Sequence, residues 1–85
     1  MTFRYSLHSI EQIKIRGLSI ALIEEILNTP DNVINNSKGV DVYQKLVIEN
    51  NISYLYRVFV NTIKQPPMII TAYKTSKVNK YENPI

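Results

Sequence analysis

The chain has no cysteine, a single histidine and only two glycines. Without cysteine, neither disulfides nor thiolate metal ligands hold it together, which suits a reducing compartment. One imidazole and scattered carboxylates give no metal-ligand spacing, so neither a metal nor a cofactor is expected. Two glycines do not make a phosphate-cradling loop, and no Ser-His-Asp order suggests itself. The opening "MTFRYSLHSI" lacks the apolar segment of a secretion signal, and the longest uninterrupted apolar run is far too short to span a bilayer. A soluble cytoplasmic protein with no membrane partner is the expectation.

What is present points to a folded domain. A hydrophobic fraction of 45% argues against disorder. Eighty-five residues make one small domain with a thin core, since a chain of this size buries roughly 60–65% of its unfolded surface. Charge is unevenly spread. Residues 57–81 carry Arg57, Lys64, Lys74, Lys77 and Lys80 and no acid, whereas residues 1–56 carry one more acidic than basic side chain. A basic block attracts polyanions, nucleic acid above all. It serves equally as a solubilising edge and tail.

The periodicity predicts two helices followed by strands. "FRYSL" is a short strand or an extended lead-in, with Ser6 as N-cap of the helix "LHSIEQIKIR". Leu7, Ile10 and Ile13 are expected to form its core-facing stripe. Gly17 ends it, and Arg16 suits the negative end of its dipole. Ser19 caps a second helix, "IALIEEILN", with Ile20, Leu22, Ile23, Ile26 and Leu27 as its apolar face and Glu24 and Glu25 opposite. Asn28, Thr29 and Pro30 stop it.

From residue 32 the period changes to two. "NVINN" reads as an edge strand and "SKGVD" as a turn. "VYQKLVIE" and "SYLYRVFV" form a hairpin about Asn50-Asn51, residues that tolerate the positive φ of a type I′ turn. This register sets Gln44 opposite Arg57, Leu46 opposite Leu55 and Val42 opposite Phe59. Pro66-Pro67 forces an extended loop before the last strand, "MIITAY". The expected fold is α+β: two N-terminal helices packed on one face of a three- to four-stranded antiparallel sheet, with residues 75–85 a basic tail. The other sheet face is left free.

Three places invite chemistry. His8, Gln12 and Arg16 fall at about 100°, 140° and 180° from Leu7 on a helical wheel, away from the expected core stripe. They read as a solvated helix face or as one side of a site. Ile15 lies among them, so a partner chain or the tail is expected to cover that side. Arg57 sits inside the most apolar strand, where an unpartnered guanidinium is costly, so it must be exposed or paired. Structural pairing and anion binding both fit. In "YKTSK", Tyr73, Lys74, Thr75, Ser76 and Lys77 all offer donors to a phosphate, and a tyrosine ring stacks on bases.

"LHSIEQIKIRGLSIALIEEILNTPD", "KGVDVYQKLVIENNISYLYRVFVN" and "PPMIITAYKTSKVNKY" together resemble, in order and over almost the whole chain, a small bacterial family of uncharacterised domains. That family is similar to the RelE- and BrnT-like toxins of type II toxin–antitoxin pairs. The resemblance implies a metal-independent endoribonuclease in which a 2′-hydroxyl attacks the adjacent phosphodiester. It implies RNA as substrate, ribosome-associated mRNA included, and an antitoxin as protein partner. On this reading His8 is the acid/base, Arg16 and Arg57 stabilise the phosphorane, and Tyr73 stacks a base or acts as an acid. Lys74, Ser76, Lys77 and Lys80 hold the RNA. The rival readings are a non-catalytic RNA- or protein-binding module, such as a degenerate toxin or regulator, and a structural homo-oligomer, of which a homodimer is the simplest form.

Overall fold

Local signals in the chain set most of the element boundaries. The computed structural model describes residues 2–36 and 38–79. A two-residue strand β1 (Arg4–Tyr5) leads into helices α1 (Leu7–Ile15) and α2 (Ile20–Asn28). Four strands follow: β2 (Asn32–Asn36), β3 (Val40–Glu49), β4 (Ile52–Asn61) and β5 (Met68–Thr75). The fold is α+β. Ser6 caps α1 by accepting from the Ser9 N–H at 3.0 Å, and Ser19 caps α2 by accepting from Leu22 N–H at 3.2 Å. Gly17, at φ +66°, closes α1. Its N–H donates to Lys14 O and that of Leu18 to Ile13 O, the paired bonds of a Schellman motif.

The five strands form one sheet in the order β1-β5-β4-β3-β2. This corrects the expectation of three or four purely antiparallel strands. β1 lies parallel to β5, tied by Arg4 N–H to Pro67 O at 2.8 Å and Ser6 N–H to Ile69 O at 3.0 Å. A strand of two residues is too short to display a period, and its partner is the last strand of the chain. The remaining pairs are antiparallel. The β3–β4 hairpin has the expected register, with Gln44 opposite Arg57, and turns on Asn50 (φ 51°) and Asn51 (φ 66°).

α2 lies over β3 and β4, and α1 over β5. Between them and the sheet sits the core: Ile13, Leu18, Ile23, Ile26, Leu27, Tyr56, Val58, Val60, Ile69 and Ala72. The second helix buries Ile23, Ile26 and Leu27 as expected, but Leu22 is only partly buried and Ile20 is exposed. The first does not. Ser9 (0% exposed) and Ile13 (3%) are its buried residues, while Leu7 (83%) and Ile10 (46%) face outward. The physical reason is drift. Residues three apart slip by about 60° per step, so Leu7 and Ile13 are about 120° apart and a nine-residue helix cannot bury both. The sheet takes the flank with the small Ser9, and that brings Arg16 to the sheet as well.

Alternation divides the sheet residues between two faces. Tyr43, Val47, Tyr54, Tyr56, Val58 and Val60 turn toward the helices. Val42 opposite Phe59, Gln44 opposite Arg57, Arg57 opposite Tyr73, and Leu55 opposite Leu46 turn to the other face. No helix longer than one turn among the described residues lies on that face. None is long and apolar enough to cross a membrane.

Candidate nucleic-acid interface

The sheet face turned away from α1 and α2, expected to be free, buries Val42, Gln44 and Leu55, and it carries a line of polar side chains running across four strands. Arg57, in the middle of β4, donates from Nε to Gln44 Oε1 of β3 at 2.6 Å. Gln44 Nε2 in turn donates to Asn32 Oδ1 of β2 at 3.1 Å. On the other side, Arg57 Nη1 donates to the Tyr73 hydroxyl of β5 at 2.8 Å. The register explains the line: Asn32 pairs with Gln44, Gln44 with Arg57, and Arg57 with Tyr73. Buried Val42 and Leu55 flank it, and Gln44 itself is 1% exposed. In such surroundings an unbonded amide would be costly, and both ends of this one are bonded.

Aromatic rings support the guanidinium. Its carbon lies 5.3 Å from the Phe59 ring centroid and 5.9 Å from that of Tyr73. The two rings meet edge to face at 5.9 Å. The result is a half-buried cation held in plane by an amide and a phenol and backed by two aromatic faces. In chemical terms that combination suits a phosphate together with a stacked base.

The other residues expected at the site are dispersed. His8 is exposed in the first turn of α1 and forms no hydrogen bond or ion pair among the described residues. Arg16, eight residues further along, is about 12 Å away by helical rise. It bonds the sheet instead, donating to Ala72 O at 2.8 Å and Thr71 Oγ1 at 3.3 Å. Lys74 follows Tyr73 in the strand and so turns to the helix side. There it pairs with Glu49 at 2.7 Å and sits 4.5 Å from the Tyr54 ring centroid. Exposed Ser76 and Lys77 line a shallow recess with Ile52, Ser53, Val78 and Asn79 at the hairpin end. Strand β5 runs through Thr75, the first residue of the expected tail, and Lys80 lies outside the described residues.

The helix side holds a second polar cluster. Buried Tyr56 donates to Glu49 Oε2 at 2.5 Å, while Lys74 holds Oε1. Burial, then the Glu49 carboxylate, push the Tyr56 hydroxyl up to about 12. The hydrogen bonds from Lys74 and Tyr56 hold Glu49 below the usual carboxylate range. The same bond to Glu49 raises Lys74. At the opposite end of the sheet, Tyr5 is pushed up to about 12 by burial and by Glu24, to which it donates at 3.3 Å. These are neutralised, internally paired groups. Among the described residues, no three His, Asp or Glu side chains gather as a metal-ligand set.

Sequence reasoning missed Asn32 and Phe59. Phe59 was within reach, because the hairpin register that pairs Gln44 with Arg57 also puts Phe59 on their face. The partner of Asn32 depended on the β2–β3 connection, whose length in register no residue pattern gave. Comparison of the chain with protein-family models, curated proteins and solved structures finds no match.

Proposed function

We propose that this domain acts on single-stranded RNA through one face of its sheet, as the cytoplasmic toxin of a toxin–antitoxin pair with a RelE/BrnT-like arrangement. The observation that carries the reading is the Arg57–Tyr73 contact at 2.8 Å, set against Phe59 on the sheet face turned away from α1 and α2. The reaction is metal-independent transesterification. The RNA 2′-oxygen attacks the adjacent phosphorus and gives its proton to water, and the bond from phosphorus to O5′ breaks. A 2′,3′-cyclic phosphate and a 5′-hydroxyl result. Arg57 stabilises the charge that builds on the phosphorane oxygens. Tyr73, already accepting from Arg57, keeps its own proton to give to the departing O5′. His8 and Arg16 have no direct part in this reading.

A second reading has its own support. Neither the Gln44 amide nor the Tyr73 phenol bonded to Arg57 is a strong base, and a cation held in this way suits RNA binding without cleavage. Binding without cleavage then describes a regulator or a degenerate toxin. The test is direct. Expression without an antitoxin should slow bacterial growth, and purified protein should cut single-stranded RNA in EDTA. Arg57→Ala and Tyr73→Phe should each reduce cutting by at least about 100-fold, whereas His8→Ala should leave it within about twofold. RNA retention without cutting selects the second reading. Neither retention nor cutting at low salt removes both and leaves the structural oligomer.

A further inference from the structure

We propose that the Asn32–Gln44–Arg57–Tyr73 line is a polarised donor relay, and that its Asn32 end selects keto bases of RNA, uracil and guanine, over the amino bases cytosine and adenine. This deepens the RNA reading above and rests on it. The direction of every bond in the line follows from Arg57. A guanidinium only donates, so the Gln44 atom 2.6 Å from Arg57 Nε is its oxygen. The other end of that amide is therefore its NH₂ group. The Asn32 atom that Gln44 Nε2 meets at 3.1 Å must accept, so it is Oδ1. Asn32 is left with its NH₂ group turned away from the line, on an exposed residue.

The same logic runs the other way. The Tyr73 oxygen accepts from Arg57 Nη1, and its proton is left for something beyond. Both ends of the line thus offer donors, and a ligand that bridges them must bring acceptors. The ends lie three strand spacings apart, about 14 Å, so they meet different parts of a nucleic-acid strand. The Tyr73 end, beside the guanidinium, suits a phosphate oxygen. The Asn32 end does not, because the Asp31 carboxylate is the next residue and is held nearby on the Leu46 N–H at 2.7 Å. A neutral base edge fits there. At the position that tells the bases apart, C4 of a pyrimidine or C6 of a purine, uracil O4 and guanine O6 accept, while cytosine N4 and adenine N6 donate and would meet the Asn32 NH₂ head on.

The test uses the intact chain and 2′-O-methyl oligouridine and oligocytidine of equal length, whose blocked 2′-oxygens prevent cutting. Fluorescence anisotropy should give about threefold to tenfold tighter binding of oligouridine, the value of one hydrogen bond against a donor–donor clash. Asn32→Ala, at an exposed position, should equalise the two. Gln44→Glu should reverse the order, because a carboxylate there has no donor for Asn32. The Asn32 amide must then rotate and present its oxygen outward. Should that variant fail to fold, the wild-type Asn32 side-chain amide signal in NMR should shift with oligouridine and hardly with oligocytidine. Equal affinities in the wild type, with both lost in Arg57→Ala, would overturn the relay while leaving RNA binding in place. A uridine preference that survives Asn32→Ala would also overturn it. Failure of both oligonucleotides to bind at low salt would remove the relay and the RNA reading together.

Discussion

Arg16, at the end of α1, holds the main-chain oxygen of Ala72 at 2.8 Å, 56 residues later in the chain. β1 pairs with β5 only at Met68 and Ile69, so the strand beyond them forms a sheet edge with no strand beside it among the described residues. An open edge is a template for unwanted pairing, and a guanidinium on its carbonyl blunts it. Arg16→Ala should lower stability by about 1–2 kcal/mol, as expected for a charged donor at a partly exposed carbonyl. The urea midpoint should fall and aggregation on warming should rise. An unchanged midpoint would mean that Arg16 does not hold the edge in solution.

Buried and outward positions of the two helices make opposite forecasts. Ile26→Ala, on the buried face of α2, should lose about 2–5 kcal/mol, a large share of the stability of a domain this small. Leu7→Ala should change stability by no more than about 0.5 kcal/mol, since Leu7 faces outward. Ser9→Leu should cost about 1–3 kcal/mol by overpacking the line where the helix meets β5. Chemical denaturation of the Leu7 and Ser9 variants checks the rotation of α1, with Ile26→Ala as the reference for a core loss. A large loss at Leu7 with none at Ser9 would reverse it.

Raised tyrosines set an alkaline limit: Tyr5, Tyr56 and, through burial and the Asp41 carboxylate, Tyr43. Tyr5 and Tyr56 ionise near 12 in the fold and near 10 when unfolded. The neutral hydroxyl is thus favoured by folding, and its stabilisation is complete below pH 10 and lost as pH rises through 12. Glu49 runs the other way. Its depressed value adds stability above the ordinary carboxylate range, and that is lost as pH falls through the folded value. Urea midpoints should therefore decline between pH 10 and 12. Absorbance near 295 nm should show Tyr5, Tyr43 and Tyr56 ionising later than an ordinary phenol. Because burial is the larger cause at Tyr56, Glu49→Gln should lower its titration only in part.

Much of this arrangement is legible in the residues, for identifiable reasons. The hairpin register follows from Asn50-Asn51, because two adjacent residues that accept positive φ leave little choice of turn. From that register came the Gln44–Arg57 pair, the centre of the candidate site. Gly17 and the two serine caps mark the helix ends because each solves a backbone hydrogen-bonding problem locally. The rotation of α1 was not legible. Its apolar residues are spread around the helix, so burial was decided by which flank fits closely against β5, a tertiary matter. Lys74 shows a different failure. Strand alternation already separates it from Tyr73, yet the charge of the segment as a whole grouped them on one surface.

Arg57 combines a charge with a shape, and two substitutions separate them. Arg57→Met removes both. It leaves buried Gln44 Oε1 without its donor, which should cost about 1–3 kcal/mol. Removing one phosphate-neutralising charge should also flatten the salt dependence of single-stranded RNA binding by about 0.7 in log–log slope. Arg57→Lys keeps the charge. An ammonium on a flexible stem cannot bond Gln44 and the Tyr73 hydroxyl together in one plane, as the guanidinium does at 2.6 and 2.8 Å. The salt slope should then stay near that of the wild type while cutting falls by at least about tenfold. Titrations of labelled RNA at several salt concentrations, paired with cleavage assays on the same preparations, read the two effects separately. If Arg57→Lys cuts as well as the wild type, the planar bridge to Tyr73 has no part in the chemistry, and only the charge of Arg57 does.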